Sequence, residues 1–226
     1  YQVQSERDGS VIINKNNLRS FTQQLEYPLH FLDFETTSMA IPEFPVQRPY
    51  QQIPFQYSLH IQDSESSDLL HNEFLAASEK SDPRLSFINS LIRDCGNQGS
   101  ILVYNIGFEK SILNQLSNDF PEYESQLKEI IDRLVDLMIP FQKKYYYTPE
   151  MKGLHSIKNV LPALCPDLSY DDLEIKEGGA ASRLFGQMLS GEFQGDVQLT
   201  RTHLLKYCRL DTLAMVKILD KINEVV

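Results

Sequence analysis

No apolar run in the 226-residue chain approaches the roughly 20 residues that a helical membrane span needs, so no such span is expected. Cysteine is scarce. Cys95, Cys165 and Cys208 are odd in number, scattered, and without metal-ligand spacing. That argues against a disulfide framework and a zinc-finger pattern, and points to a reducing, cytoplasmic setting. The five histidines form no cluster and give no zinc motif. Internal repeats, low-complexity tracts and a signal-peptide pattern are also missing. Positive charge is short: 21 Lys and Arg stand against 31 Asp and Glu, for a net charge of −10. A coat-like nucleic-acid binder, whose affinity comes from many cationic phosphate contacts, does not fit that balance. An enzyme whose acids hold cations does fit, because the ions then supply positive charge locally. The chain opens on Tyr1 rather than Met, which reads as a fragment of a longer protein or a processed chain.

What is present is ordinary globular material, 42% hydrophobic and 23% charged, enough for one domain with a real core. Residues 1–28 are polar and weakly patterned and read as an N-terminal extension or linker with one short strand at Val11–Ile13. The domain proper is expected over 29–226. "HFLDFE" reads as its first strand, "FQYSLHIQ" alternates as a second, and "HNEFLAAS" is a third, giving an antiparallel meander. A helix is predicted from Asp82–Pro83 to the stop at Gly96, followed by a buried strand, "SILVYN". "GFEKSILNQLSNDF" and "EYESQLKEIIDRL" are helices, and "VDLMIPF" reads as a last short strand. The C-terminal third is helical in pattern, its final helix running from about Thr202 to Val225. Three meander strands, then strands alternating with helices, predict an α/β fold with a mixed sheet flanked by helices.

The acids fall where apolar residues belong. Asp33 and Glu35 are two apart on a strand, so their side chains share a face. In the last helix the apolar stripe Leu204, Cys208, Met215, Ile218, Ile222 runs through Asp211 at helical spacing. Tyr207 lies one turn before that acid. In the helix after "LVYN", Glu109 stands in line with Ile112, Leu113 and Leu116. Singly, each has a plain reading: Glu109 as a helix N-terminal acid favoured by the macrodipole, Tyr207 as packing, Asp211 as the partner of a buried base. Together they put four carboxylates towards one interior, a cost that divalent cations relieve. Such a set suits two-metal phosphoryl chemistry, with ions about 3.5–4 Å apart.

"LDFET", "YNIGFE" and "YCRLD" resemble the three motifs of the DEDD exonuclease superfamily, which has a ribonuclease H-like fold. Tyr207, four residues before Asp211, resembles the DEDDy branch; the DEDDh branch needs a histidine where this chain has Lys206. The longer strings "RPYQQIPFQYSLHI" and "YYYTPEMKGLHSIKNVLPAL" resemble a bacterial family, domain of unknown function 2779, and the likeness extends over roughly Leu29 to Val225. The superfamily resemblance implies two Mg²⁺ or Mn²⁺ ions, with Asp33 bridging both and Glu35 and Asp211 on the nucleophile side. The same resemblance implies that Glu109 serves the second ion and that Tyr207 orients the attacking water. The implied reaction is in-line phosphodiester hydrolysis at a 3′ end of single-stranded or frayed nucleic acid, DNA or RNA. A non-catalytic ribonuclease H-like module binding nucleic acid or another domain of a longer chain, and a structure-selective endonuclease, are the competing readings.

Further residues carry paired readings. Thr36 and Thr37 either contact the terminal nucleotide or form the turn after the strand. Asn105 either fixes the strand-to-helix junction or meets substrate. Arg48, Tyr50 and Gln52 suit phosphate contact and base stacking, or simply order a loop. Lys158 either approaches a phosphate or is an exposed helix lysine. Lys143 and Lys144 with three neighbouring tyrosines form a basic, aromatic patch or pack on the core. Gly178 and Gly179 read as a helix-entry turn. The superfamily pattern has Asp where this chain has Glu109, and the extra methylene lengthens the reach by about one bond. Glu109→Asp is therefore expected to retain divalent-ion binding in calorimetry; complete loss would remove Glu109 from the ligand set.

Overall fold

The computed structural model describes residues 2–78 and 81–226. Its N-terminal segment is more ordered than its polar composition predicts. Helices α1 (Gln2–Asp8) and α2 (Lys15–Thr22) flank the short strand β1 (Ile12–Ile13). Asn14 caps α2 by accepting from the Asn17 amide at 3.1 Å, and Leu18 and Phe21 drop from that helix into the core.

The meander follows as β2 (Leu29–Ser38), β3 (Gln52–Gln62) and β4 (Leu69–Leu75), then α3 (Arg84–Cys95), β5 (Ile101–Val103) and α4 (Ile106–Asp119). Next come α5 (Glu124–Asp132), β6 (Leu134–Asp136), α6 (Ile139–Gln142) and β7 (Tyr146–Tyr147), which pairs antiparallel with β1. The predicted strand over 135–141 is thus cut short at Asp136, and the single turn of α6 follows from Ile139, with Pro140 in its first turn. Three helices close the chain: α7 (Ile157–Leu164), α8 (Gly178–Ser190) and α9 (Val197–Asn223). Helix α9 begins earlier than the pattern at Thr202 predicts, because Asp196 caps it by accepting from the Leu199 amide at 2.9 Å.

The five-stranded sheet has the order β4-β3-β2-β5-β6, with β4, β3 and β2 antiparallel and β2, β5 and β6 parallel. Alternation along β2 divides its side chains between two layers. Leu32 and Phe34 meet Phe87 and Leu91 of α3, Ile112 and Leu113 of α4, and Leu127 of α5. Phe31 faces the other layer, with Leu161 of α7, Phe185 of α8 and Leu204 of α9. Helices therefore cover both faces. Among the described residues, none of them is long and apolar enough to cross a membrane.

An irregularity in the sheet sets the position of α8. Glu35 lies opposite Gln56 but Thr36 lies opposite Pro54, so Phe55 is an extra residue on β3. That bulge turns Phe55 onto Phe185, where the rings stack at 4.0 Å and 4°. It pins α8 against the strand that carries Asp33 and Glu35. Gly186 permits the approach, since a Cβ there would lie 3.1 Å from the Thr37 hydroxyl.

Candidate metal centre

Three carboxylates meet between the sheet and α9. One oxygen from each of Asp33, Glu35 and Asp211 lies within 4.8 Å of the others. Strand alternation supplies the first two, and the buried stripe of α9 supplies the third, between Cys208 and Met215. The helix is locked in rotation by polar contacts behind the cluster. Thr212 Oγ1 meets Ser58 Oγ at 2.7 Å and His60 Nδ1 at 2.8 Å, and Ser58 is the cross-strand partner of Asp33. His60 and His71, scattered in the sequence, are brought together as cross-strand neighbours with rings 4.4 Å apart. Burial pushes their pKa values down to about 3 and about 4, so both are neutral donors and acceptors of this network.

Above the cluster lies an open pocket of about 410 Å³. Glu109 lines it from the first turn of α4, only 2% exposed, and its Oε2 has no hydrogen-bond partner among the described residues. Among the described residues it stands outside the tight three-acid group, yet close enough to raise the pKa of Asp33 by its charge. Tyr207 also lines the pocket, and burial holds its hydroxyl protonated. Its hydrogen bond favours the ionised form of Asp211.

The other predicted residues divide. Thr36, Gln52, Asn105 and Lys158 line the pocket, and Thr36 Oγ1 donates to Gln52 Oε1 at 2.6 Å. Lys158 donates to the Lys176 carbonyl at 2.6 Å, and its charge stabilises the ionised forms of Glu35 and Asp211. Gly178 and Gly179 do open a helix, and a Cβ on Gly178 would lie 3.4 Å from Glu35 Oε2. Thr37 is turned away, donating to the Ser182 carbonyl at 3.1 Å beside a neighbouring groove.

Arg48 and Tyr50 do not line the pocket. Their loop is folded by its own glutamines: Gln47 accepts from the Glu43 and Phe44 amides, and Gln51 reaches Asp119 at 2.6 Å. Buried Arg84 ties the same loop down through Asp82, Asp119 and the Pro45 carbonyl. Tyr50 is left 72% exposed. Lys143 and Lys144 line a separate cavity with β1, and Tyr147 is buried in the core.

Two further residues shape the site without belonging to any of the motifs. Asp136, at the end of β6, accepts from the Asn105 and Ile106 amides at 3.1 and 3.2 Å. It thereby holds the left-handed turn at Asn105 (φ 79°) from which α4 springs, and so aims Glu109. An acid ending a short apolar run is a readable signal of the same kind as Asp33. Tyr170 donates to Asp211 Oδ1 at 2.6 Å from the loop between α7 and α8, where no periodic pattern marks it.

Residues 30–156 match the family described as domain of unknown function (DUF2779). The chain belongs to this family. The matched segment includes Asp33, Glu35 and Glu109 and ends before Tyr207 and Asp211. The chain is also 28% identical over 223 residues to the uncharacterized protein MG366 homolog of Mycoplasma pneumoniae, covering 90% of this chain and 33% of that one. To the uncharacterized protein MG366 of Mycoplasma genitalium it is 26% identical over 232 residues, covering 93% and 34%. The uncharacterized protein UU173 of Ureaplasma parvum is 28% identical over 213 residues, covering 83% and 30%. The chain thus spans about a third of the length of these curated relatives. No solved structure matches it.

Burial dominates the titration of the cluster. It raises Glu35 and Glu109 to about 8 and Asp211 to about 6, and carries Asp33 well above the carboxylate range with the charges of Asp211, Glu35 and Glu109 adding to it. Raised folded-state values mean that folding favours the protonated acids. Their contribution to stability is complete below the ordinary values near 4 and is lost as pH rises through about 6 to 8. In EDTA, the melting temperature should therefore fall between about pH 5 and about pH 8.5, and Asp33→Asn should flatten the slope. A melting temperature that rises over that interval would contradict the assignment.

Proposed function

We propose that this chain is a 3′→5′ exonuclease of the DEDDy type, with a ribonuclease H-like fold, requiring two Mg²⁺ or Mn²⁺ ions. The observation that carries the reading is the convergence of Asp33, Glu35 and Asp211 within 4.8 Å under a pocket that also holds buried, unpartnered Glu109 Oε2. The residues fit hard divalent cations, because the donor set is all oxygen and an ion would satisfy the orphaned carboxylate atom. The antiparallel meander joined to two parallel strands is the sheet that the superfamily resemblance implies, and it supports the fold assignment. Asp33, Glu35 and Asp211 would hold one ion, and Asp33 with Glu109 the other. When bound, such ions neutralise the charge that builds on a phosphodiester undergoing displacement.

The chain's own groups supply orientation. The reaction is addition of water to phosphorus with departure of the neighbouring 3′-oxygen, releasing a nucleoside monophosphate. The Tyr207 hydroxyl, protonated and beside Asp211, is the group suited to orient that water. Lys158 brings the positive charge of an ammonium to the pocket wall, where a phosphate would sit. Thr36 and Gln52, bonded to each other, present polar atoms to the terminal nucleotide. An open pocket of about 410 Å³ admits a single nucleotide end more readily than a duplex, so single-stranded substrates are favoured.

The test is a 5′-labelled single-stranded DNA or RNA oligomer incubated with Mn²⁺ or with EDTA. A ladder shortening one nucleotide at a time, abolished by EDTA and by Asp33→Asn, is the expected result. Discrete internal cuts would indicate an endonuclease instead. No cleavage of either polymer, together with no Mn²⁺ binding in calorimetry, would sink the catalytic reading.

A further inference from the structure

Asp211 belongs to a rigid helix, but a carboxylate on a helix still rotates about its own side-chain bonds. Something must hold it if it is to offer one fixed oxygen to a small cation. Tyr170 is placed to do so. Its hydroxyl donates to Asp211 Oδ1 at 2.6 Å, and both side chains are buried.

The loop that delivers it, residues 165–177, is built as a strap. Leu173 N donates to the Tyr170 carbonyl at 3.1 Å, and Asp171 N to Ser169 Oγ at 3.0 Å. Lys176 Nζ donates to the Asp171 carbonyl at 2.6 Å, while Lys158 Nζ closes the loop onto α7 through the Lys176 carbonyl. Ile175 anchors the strap in the core. The ring of Tyr170 lies 6.3 Å from that of Tyr207, and the Lys158 ammonium stands 5.6 and 5.7 Å from the two ring centres. The ring is thus held by its neighbours, and its hydroxyl is aimed at Asp211.

We propose that Tyr170 is a positioning residue of the acidic cluster: by occupying one oxygen of Asp211 it fixes the carboxylate and selects for small, strictly octahedral cations. The inference rests on the reading of the pocket as a divalent-cation site. Its chemical logic is that Mg²⁺ and Mn²⁺ demand ligands held near ideal octahedral positions, whereas Ca²⁺ accepts variable number and geometry. Partners that hydrogen-bond a ligating carboxylate typically alter metal affinity by about 10–100-fold when removed.

Tyr170→Phe removes the hydroxyl and keeps the ring, so the strap retains its packing. Calorimetric titration of the wild type and Tyr170→Phe with Mn²⁺, Mg²⁺ and Ca²⁺ tests the idea without any substrate. The expected result is a loss of about 10-fold in Mn²⁺ and Mg²⁺ affinity with little change for Ca²⁺. Equal titration of wild type and variant overturns the inference and leaves the site reading intact. An equal loss for all three ions overturns the selective role. Failure of the wild type to bind Mn²⁺ overturns the site reading, and the inference with it.

Discussion

Mutual repulsion among buried carboxylates is the constraint that the rest of this fold is arranged around. Like charges no more than 4.8 Å apart repel by at least about 3 kcal/mol at an effective dielectric near 20, so three such pairs cost about 10 kcal/mol or more. That is comparable to the entire stability of a typical domain, about 5–15 kcal/mol. Full ionisation of Asp33, Glu35 and Asp211 without compensation is therefore not available to the folded chain. Protonation is one escape, and the raised pKa values of all three express it. Positive charge is the other. Among the described residues that line the pocket, Lys158 supplies it, a single ammonium against four acids.

Packing and hydrogen-bonding features of the scaffold keep these groups together. A bulge in β3 and the Phe55–Phe185 stack hold α8 to β2. Thr212, Ser58 and His60 fix the rotation of α9, and Asp136 fixes the turn that starts α4. Each device acts on the backbone or on a neighbour of an acid rather than on the acid's charge. Separate elements thus converge on the cluster.

Much of this was legible in the sequence where a periodicity carried the signal. The pairing of Asp33 with Glu35 follows from strand alternation, and Asp211 from the helical stripe that it interrupts, because both rules fix direction from local spacing alone. Glu109 was readable for the same reason, though not the way its second oxygen is left without a partner. Tyr170 was not readable, since a strap held by lysine-to-carbonyl bonds has no period. Arg48 and Tyr50 looked close to the site by their place in the chain, but Gln47 and Gln51 fold their loop in ways that composition does not specify. Helix α2 is not marked by composition, because only Leu18 and Phe21 are buried on an otherwise polar segment.

Whether divalent cations neutralise this cluster is decided most directly by a crystal soaked in Mn²⁺ and measured at a wavelength where manganese scatters anomalously. Peaks bonded to the carboxylates of Asp33, Glu35 and Asp211 are expected, with a second ion reaching Glu109. Peaks confined to surface acids, with the pocket empty at saturating Mn²⁺, would contradict cation neutralisation.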